Sequence, residues 1–299
     1  MKGSMITPSV PSAIKRKIKL VGVSKIQAGA SNFVVSYRMA LGQERLIPDF
    51  IIIGAQRCGT TYLYGELTKH PRIAPALKKE VHFFDLHYER GVAWYRAHFP
   101  AWNGKRISAR DFVTGEASPY YLFHPHVPKR VAKLVPNVKL IVLLRNPVDR
   151  AYSHYHHEVR RGFESLSFQD AIDREQERVV SETKRMVEDE DYCSFNHRRY
   201  SYLSRGIYVD QLKSWRNIFP KEQMLILRAE DFYHDPSSTI EQITSFLNLP
   251  TWKPEEGRQS GYPSYPKMDP AIRKYLIDYF EPQNQRLYGY LGVNLGWEK

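Results

Sequence analysis

A run of four apolar residues, Phe50 to Ile53, breaks at Gly54 and gives way after Gly59 to a helical pattern through Tyr62, Leu63 and Leu67. This stretch constrains the chain more than any other. In full it reads Pro48-Asp49-Phe50-Ile51-Ile52-Ile53-Gly54-Ala55-Gln56-Arg57-Cys58-Gly59-Thr60-Thr61. The pattern predicts a buried strand, a tight glycine-bounded loop and the start of a helix. Such a loop turns backbone N–H groups inward, and a helix N-terminus adds partial positive charge, so its natural occupant is a phosphate or similar oxyanion. The spacing Gly54-x-x-x-x-Gly59 is that of a P-loop, but Thr60 stands where a nucleotide triphosphatase has its lysine. Arg57 supplies the positive charge instead. A plain βα turn can also carry two glycines. The internal arginine and the paired threonines favour the anion site.

Further strands are predicted at Ile73 to Pro75, Phe112 to Glu116, Val138 to Leu144 and Met224 to Leu227. Helical patterns fall between them, at Gly91 to Phe99, His126 to Leu134, Val148 to Arg160, Ile207 to Phe219 and Thr239 to Leu247. Strands alternating with helices imply an α/β fold, a single P-loop-like domain with a mostly parallel central sheet flanked by helices. Residues 1–45 read as a loosely structured basic lead-in, beginning with a cloning remnant ahead of Met5, and 46–299 as the domain. Residues 161–200 read as a helical insertion near the acceptor site, and the tail as aromatic and loop-rich. In such folds ligands gather at the carboxyl ends of the strands, where Gly54, Glu116 and Arg145 fall.

The chain has 299 residues and a formal charge of +12, an excess that draws polyanions: acidic polysaccharide, nucleic acid, anionic lipid or nucleotide. Basic and aromatic residues interleave around Arg198, Arg199, Tyr200 and Tyr202, which suits a sugar-binding cleft. No nucleic-acid module is recognisable, so nucleic acid is not expected as a partner. No run is long enough for a transmembrane helix. Two cysteines, Cys58 and Cys193, imply no disulfide framework and fit a reducing compartment. His154, His156 and His157, and separately His124 and His126, lack a zinc-type ligand spacing and read as surface or packing residues.

A second constellation follows the strand at Val138 to Leu144. Arg145 leaves its end, Asn146 and Pro147 suit a helix start, and Ser153 lies about two turns on. An arginine fork beside a hydroxyl suits a phosphate dianion. Between the two sites lies Lys79-Glu80-Val81-His82-Phe83-Phe84-Asp85. If this segment is extended, Glu80 and His82 share one side.

With these three motifs in order, residues 48 to 250 resemble the sulfotransferase family, most closely its heparan sulfate N- and 3-O-sulfotransferase branch. The resemblance implies transfer of a sulfuryl group from 3′-phosphoadenosine 5′-phosphosulfate (PAPS), without a required metal, to a hydroxyl or amine, most plausibly of a carbohydrate. It assigns Arg57, Cys58, Gly59, Thr60 and Thr61 to the 5′-phosphosulfate, and Arg145 and Ser153 to the 3′-phosphate. Tyr208 enters as a further cofactor contact. Glu80 matches the general base, with His82 as the alternative base, and Asp85, like Glu80 and His82, as a substrate contact. Most relatives in this branch have lysine in place of Arg57, which can neutralise the departing oxygen but is a poor proton donor. The branch's Lys-Gly-Arg run and its disulfide loop are missing before Tyr265-Pro266-Lys267-Met268-Asp269, so Arg258, Tyr262 and Lys267 are candidates to serve there. The missing disulfide points to a bacterial-type cytoplasmic enzyme, with the lumenal domain of a Golgi enzyme as the alternative. The rival readings are sulfation of a lipid or polyketide hydroxyl, a P-loop kinase, and a non-catalytic polyanion-binding protein.

Overall fold

A computed structural model describes residues 32–102, 112–252 and 265–298. Five strands form one sheet in the order β2-β3-β1-β4-β5, every neighbouring pair parallel: β1 (Phe50–Gly54), β2 (Ile73–Pro75), β3 (Val113–Ala117), β4 (Lys139–Leu144) and β5 (Met224–Arg228). All five residues of β1 are buried, as are all five of β3. This is the expected state of a parallel strand covered on both faces, and it explains why Phe50 to Ile53 reads as a continuous apolar run. Ile52 pairs with Ala117 on one side and Ile141 on the other, so the carboxyl ends of β1, β3 and β4 lie close together. The chain runs outward from β1 to β2 and then crosses to β4 on the opposite side. The crevice beyond the tips of β1 and β4 is therefore the switch point of the sheet.

Two helices aim at that crevice. The first, α1 (Thr60–Leu67), begins directly after the loop, with Gly59 in the left-handed region at φ 96°. The second, here called α2 (Pro147–Arg161), is capped by the Asn146 side chain, which accepts from the Val148 N–H, and Pro147 occupies its first turn. A second apolar cluster, including Val148, Ala151, Phe168, Ile172, Tyr202, Leu276 and Phe280, ties later helices onto α2. Among these is Phe168–Asp173 of the expected insertion.

Three expectations need correction. Residues 32–40 are helical rather than loose: Val35 is buried, and Arg38 and Arg45 donate to the carbonyls of Ala97 and Phe99. The tail is not loop-rich. Pro270–Leu291 is a 22-residue helix, started by Asp269, whose carboxylate accepts from the N–H groups of Ala271 and Ile272. Its buried residues Leu276, Phe280 and Leu287 recur at helical spacing, but the internal Pro282 disguises the pattern. The segment around Glu80 is not extended either. Glu80 and His82 both have positive φ, 62° and 56°.

Candidate active site

The loop after β1 is shaped by its own backbone. The Ala55 N–H donates to the Leu143 carbonyl of β4, and the Cys58 N–H donates to the Ala55 carbonyl. The first helical bond of α1 runs from Leu63 to Gly59. The amides of Thr60, Thr61 and Tyr62 therefore have no acceptor within the helix. The φ of Gly59 favours glycine, and a Cβ there would fall 2.4 Å from the Tyr233 hydroxyl oxygen, so that ring would have to shift. Cys58 was expected to contact the cofactor. Instead its amide is used within the turn, and its thiol points inward, fully buried and pushed up to about 11 by that burial. A thiol in that state is no nucleophile.

Arg57 has φ 71°, which turns its side chain toward α2. There Nε donates to Ser153 Oγ at 3.2 Å, and Nη1 lies 3.3 Å from His157 Nδ1. Ser153 and His157 are four residues apart and so share one face of α2. Burial first, then the nearby Arg57, Arg161 and Arg160, lower His157 to about 4, so it is neutral near pH 7 and accepts from Arg57. His157, expected in a surface or packing role, thus stands beside Arg57 at the site. Arg145 reaches from the tip of β4 to the Arg57 carbonyl at 3.4 Å. Its own carbonyl accepts from the Tyr208 hydroxyl at 2.8 Å. Tyr208 is almost wholly buried, with that hydroxyl 3.8 Å from the Cys58 thiol. It holds the Arg145 backbone and is not among the residues lining the cavity.

Arg57, Arg145, Ser153 and His157 line one cavity of about 580 Å³, together with Gly59, Thr60, Thr61, Tyr62, Glu66, Lys69, Glu80, Pro119, Arg161 and Tyr233. Its two carboxylates already have ammonium partners: Glu66 with Lys69 at 2.8 Å, and Glu80 with Lys79 at 2.6 Å. Arg57 is lowered by burial and then by Arg160 and Arg145, a like-charged setting that an anion would relieve. A larger cleft of about 950 Å³ lies at the opposite, amino-terminal end of the strands, beside Asp49, Val113 and Lys139. It holds none of the predicted site residues.

Glu80 stands at the cavity wall with its side chain 44% exposed. His82 Nε2 lies 3.4 Å from Glu80 Oε2, and His82 Nδ1 lies 2.7 Å from Asp85 Oδ2. Burial opposes a charge on His82, but Asp85 on one ring nitrogen and Glu80 on the other push it up to about 9. Burial also works to raise Glu80, yet the hydrogen bond from His82 and the Lys79 ammonium hold it well below the usual carboxylate range. Glu80 and His82 therefore meet as expected, through left-handed turns rather than an extended strand. Asp85, expected as a substrate contact, is buried against His82.

Arg199 and Tyr202, expected to line an acceptor cleft, are also buried. Arg199 binds Glu158 at 3.3 Å, and Tyr202 donates to Glu164 at 3.0 Å. The insertion does approach the site elsewhere: Arg161 lines the cavity, and the Cys193 thiol lies 3.9 Å from the Asp85 carbonyl. Arg258 and Tyr262 lie outside the described residues. Lys267 is described and exposed, next to Pro266, whose carbonyl accepts from the Tyr152 hydroxyl.

A parallel α/β sheet with a lysine-free phosphate loop, a second arginine at the neighbouring strand tip and a carboxylate between them defines a group-transfer enzyme with an anionic donor. The model of the sulfotransferase domain matches residues 47–260, and the chain belongs to that family. It is a PAPS-dependent sulfotransferase. It is 28% identical to the membrane-associated sulfotransferase kil1 of Dictyostelium discoideum, over 86% of this chain and 68% of that protein. It is also 28% identical to heparan sulfate glucosamine 3-O-sulfotransferase 5 of Homo sapiens, over 84% and 74% respectively. Of the bifunctional heparan sulfate N-deacetylase/N-sulfotransferase 1 of Caenorhabditis elegans it covers only 30%. Among solved structures, a sulfotransferase from Alicyclobacillus acidocaldarius superposes with a TM-score of 0.68 at 30% identity, covering 85% of this chain and 100% of that one. Among the described residues no helix is long and apolar enough to cross a membrane.

Proposed function

We propose that this chain moves a sulfuryl group from PAPS to a hydroxyl or amine of a carbohydrate, with the loop at 54–61 holding one end of the donor and Arg145 with Ser153 the other. The observation that carries this reading is the convergence of Arg57, Arg145 and Ser153 on one cavity, with Glu80 at its wall. The residues present fit such a donor. A Cβ at Gly59 would press on the Tyr233 hydroxyl, the amides of Thr60 and Thr61 have no acceptor within α1, and Arg57 and Arg145 come together at the loop, where burial and then like charges lower Arg57. When bound, the donor supplies an activated sulfuryl group on a leaving phosphate.

The remaining chemistry belongs to the chain. Glu80, ionised near neutral pH, accepts the acceptor's proton. An acceptor hydroxyl grows acidic as its new bond to sulfur forms, so a carboxylate held at low basicity suffices. Lys79 and His82 orient Glu80, and Asp85 keeps His82 protonated. Protonated, His82 cannot itself be the base. Arg57 meets the charge that develops on the leaving oxygen, a task for a fixed cation rather than a proton donor. These cations take up the donor's negative charge, and we propose that no metal is needed.

The carbohydrate acceptor rests on the heparan sulfate relatives and on the chain's net positive charge. Two free cysteines, Cys58 buried and Cys193 exposed, support a reducing, cytoplasmic setting over a Golgi lumen. A labelled-donor assay against acidic oligosaccharides, lipids and phenols tests the reading. Transfer to the oligosaccharides is expected, whereas turnover of lipid or phenol hydroxyls alone would move the acceptor class. Magnesium-dependent ATP turnover would overturn the reading as a whole.

A further inference from the structure

We propose that Glu116 is a positioning residue for the reaction, fixing the backbone that presents Glu80 and His82; this rests on the reading of Glu80 as the base. Glu116 is fully buried near the end of β3 and is not among the residues lining the cavity. Its importance lies in what the neighbouring segment demands. Glu80 at φ 62° and His82 at φ 56° are both left-handed without being glycine, a conformation that costs roughly 1–2 kcal/mol per residue. Something outside the segment must hold it.

Three sets of hydrogen bonds do so. The Glu80 N–H donates to the Ala117 carbonyl at 3.0 Å. The His82 N–H donates to Ser118 Oγ at 3.1 Å. The Phe83 and Phe84 N–H groups donate to the Tyr121 hydroxyl oxygen at 2.9 and 3.3 Å. Two of these three acceptors are hydroxyls, and a hydroxyl presents a steady lone pair only when its own proton is committed elsewhere. Glu116 takes both protons: Ser118 donates to Oε2 at 2.7 Å and Tyr121 to Oε1 at 3.1 Å. A third hydroxyl, that of Tyr95, donates to Oε1 at 2.7 Å. One buried carboxylate thus sets the polarity of both hydroxyls that grip the turn.

Replacing it by an amide of the same shape inserts donors into this all-acceptor position. At least one hydroxyl then loses the acceptor that fixes its proton, and the grip on residues 80–84 loosens. The loop at 54–61 and Arg145 are not bonded to Glu116, so donor binding should not follow.

The test measures kcat, and the Kd for 3′,5′-adenosine diphosphate, in Glu116→Gln and Ser118→Ala, each alone and combined with Glu80→Gln. We expect kcat to fall about tenfold or more in each single variant, in line with the cost of small misplacements of a reacting group, while Kd stays within about twofold. In the Glu80→Gln background neither change should cost further turnover, because a positioning residue acts only through what it positions. Full kcat in Glu116→Gln and Ser118→Ala beside an impaired Glu80→Gln would overturn this inference alone, as would losses that simply multiply. Full turnover in Glu80→Gln would instead overturn the assignment of the base. Ser118→Ala, a smaller disturbance of the core, carries the test should Glu116→Gln not fold.

Discussion

Arg57 and Ser153, 96 residues apart in the chain, meet at 3.2 Å across the crevice between β1 and β4. That contact joins the phosphate loop to α2, and with Arg145 above it makes one continuous cationic wall. Ser153→Ala should therefore loosen Arg57 and remove a hydroxyl from the wall. We expect binding of 3′,5′-adenosine diphosphate to weaken by about tenfold, or roughly 1.4 kcal/mol, with the melting temperature little changed. Calorimetric titration of the two proteins checks it, and unchanged affinity would separate Ser153 from the donor.

Gly59→Ala should be more severe than an ordinary loop substitution. The new Cβ would sit 2.4 Å from the Tyr233 oxygen at a backbone φ of 96°. Strain and displacement together should cost about 1–3 kcal/mol of stability and most of the donor affinity. A denaturant melt alongside the titration distinguishes the two losses. Wild-type values for both would mean that the loop is not held as described.

His82 gives a stability that depends on pH. Its folded value of about 9 lies above the ordinary 6.5, so the folded state holds the proton more tightly than the unfolded chain. The stabilisation is complete below pH 6.5 and is lost as pH rises through 9. Its size is on the order of 2 kcal/mol, since the ring is 22% exposed and its partners are coupled. Unfolding free energies at pH 6 and 9.5 should diverge for the native protein and stay closer together for His82→Gln. Equal pH dependence in both would place the effect elsewhere.

Glu80→Gln should lower turnover by about a hundredfold or more while leaving binding of 3′,5′-adenosine diphosphate nearly intact. Because Glu80 is held well below the usual carboxylate range, its own titration should cause no loss of rate at about pH 4 to 5. An acid limb in that range that persists in His157→Gln would assign the base to a different group.

Much of this site is visible in the sequence, for identifiable reasons. Phe50 to Ile53 and Leu140 to Leu144 are buried on both faces, so their apolar runs are unbroken, and Gly54, Gly59, Asn146 and Pro147 mark the turns at their ends. The phosphate loop and Arg145 follow from those boundaries. The chain leaves no such mark on contacts that only tertiary packing creates. Nothing local indicates that Tyr208 would come up beneath Arg145, or that Tyr233, from the helix after β5, would cover Gly59. Glu80 and His82 converge because two non-glycine residues adopt left-handed turns, which no propensity would suggest. His157 is the exception that a closer reading of helical spacing would have found, since it stands one turn from Ser153 on the same face.

The most direct measurement compares 3′,5′-adenosine diphosphate with adenosine 5′-monophosphate, titrated without metal into the native protein and Arg145→Ala. If Arg145 grips the 3′-phosphate while the loop at 54–61 grips the 5′ end, the native protein should prefer the bisphosphate by about a hundredfold. Arg145→Ala should lose most of that preference while still binding the monophosphate as the native protein does. A variant that kept the full preference, or native binding blind to the 3′-phosphate, would contradict a donor held at both ends.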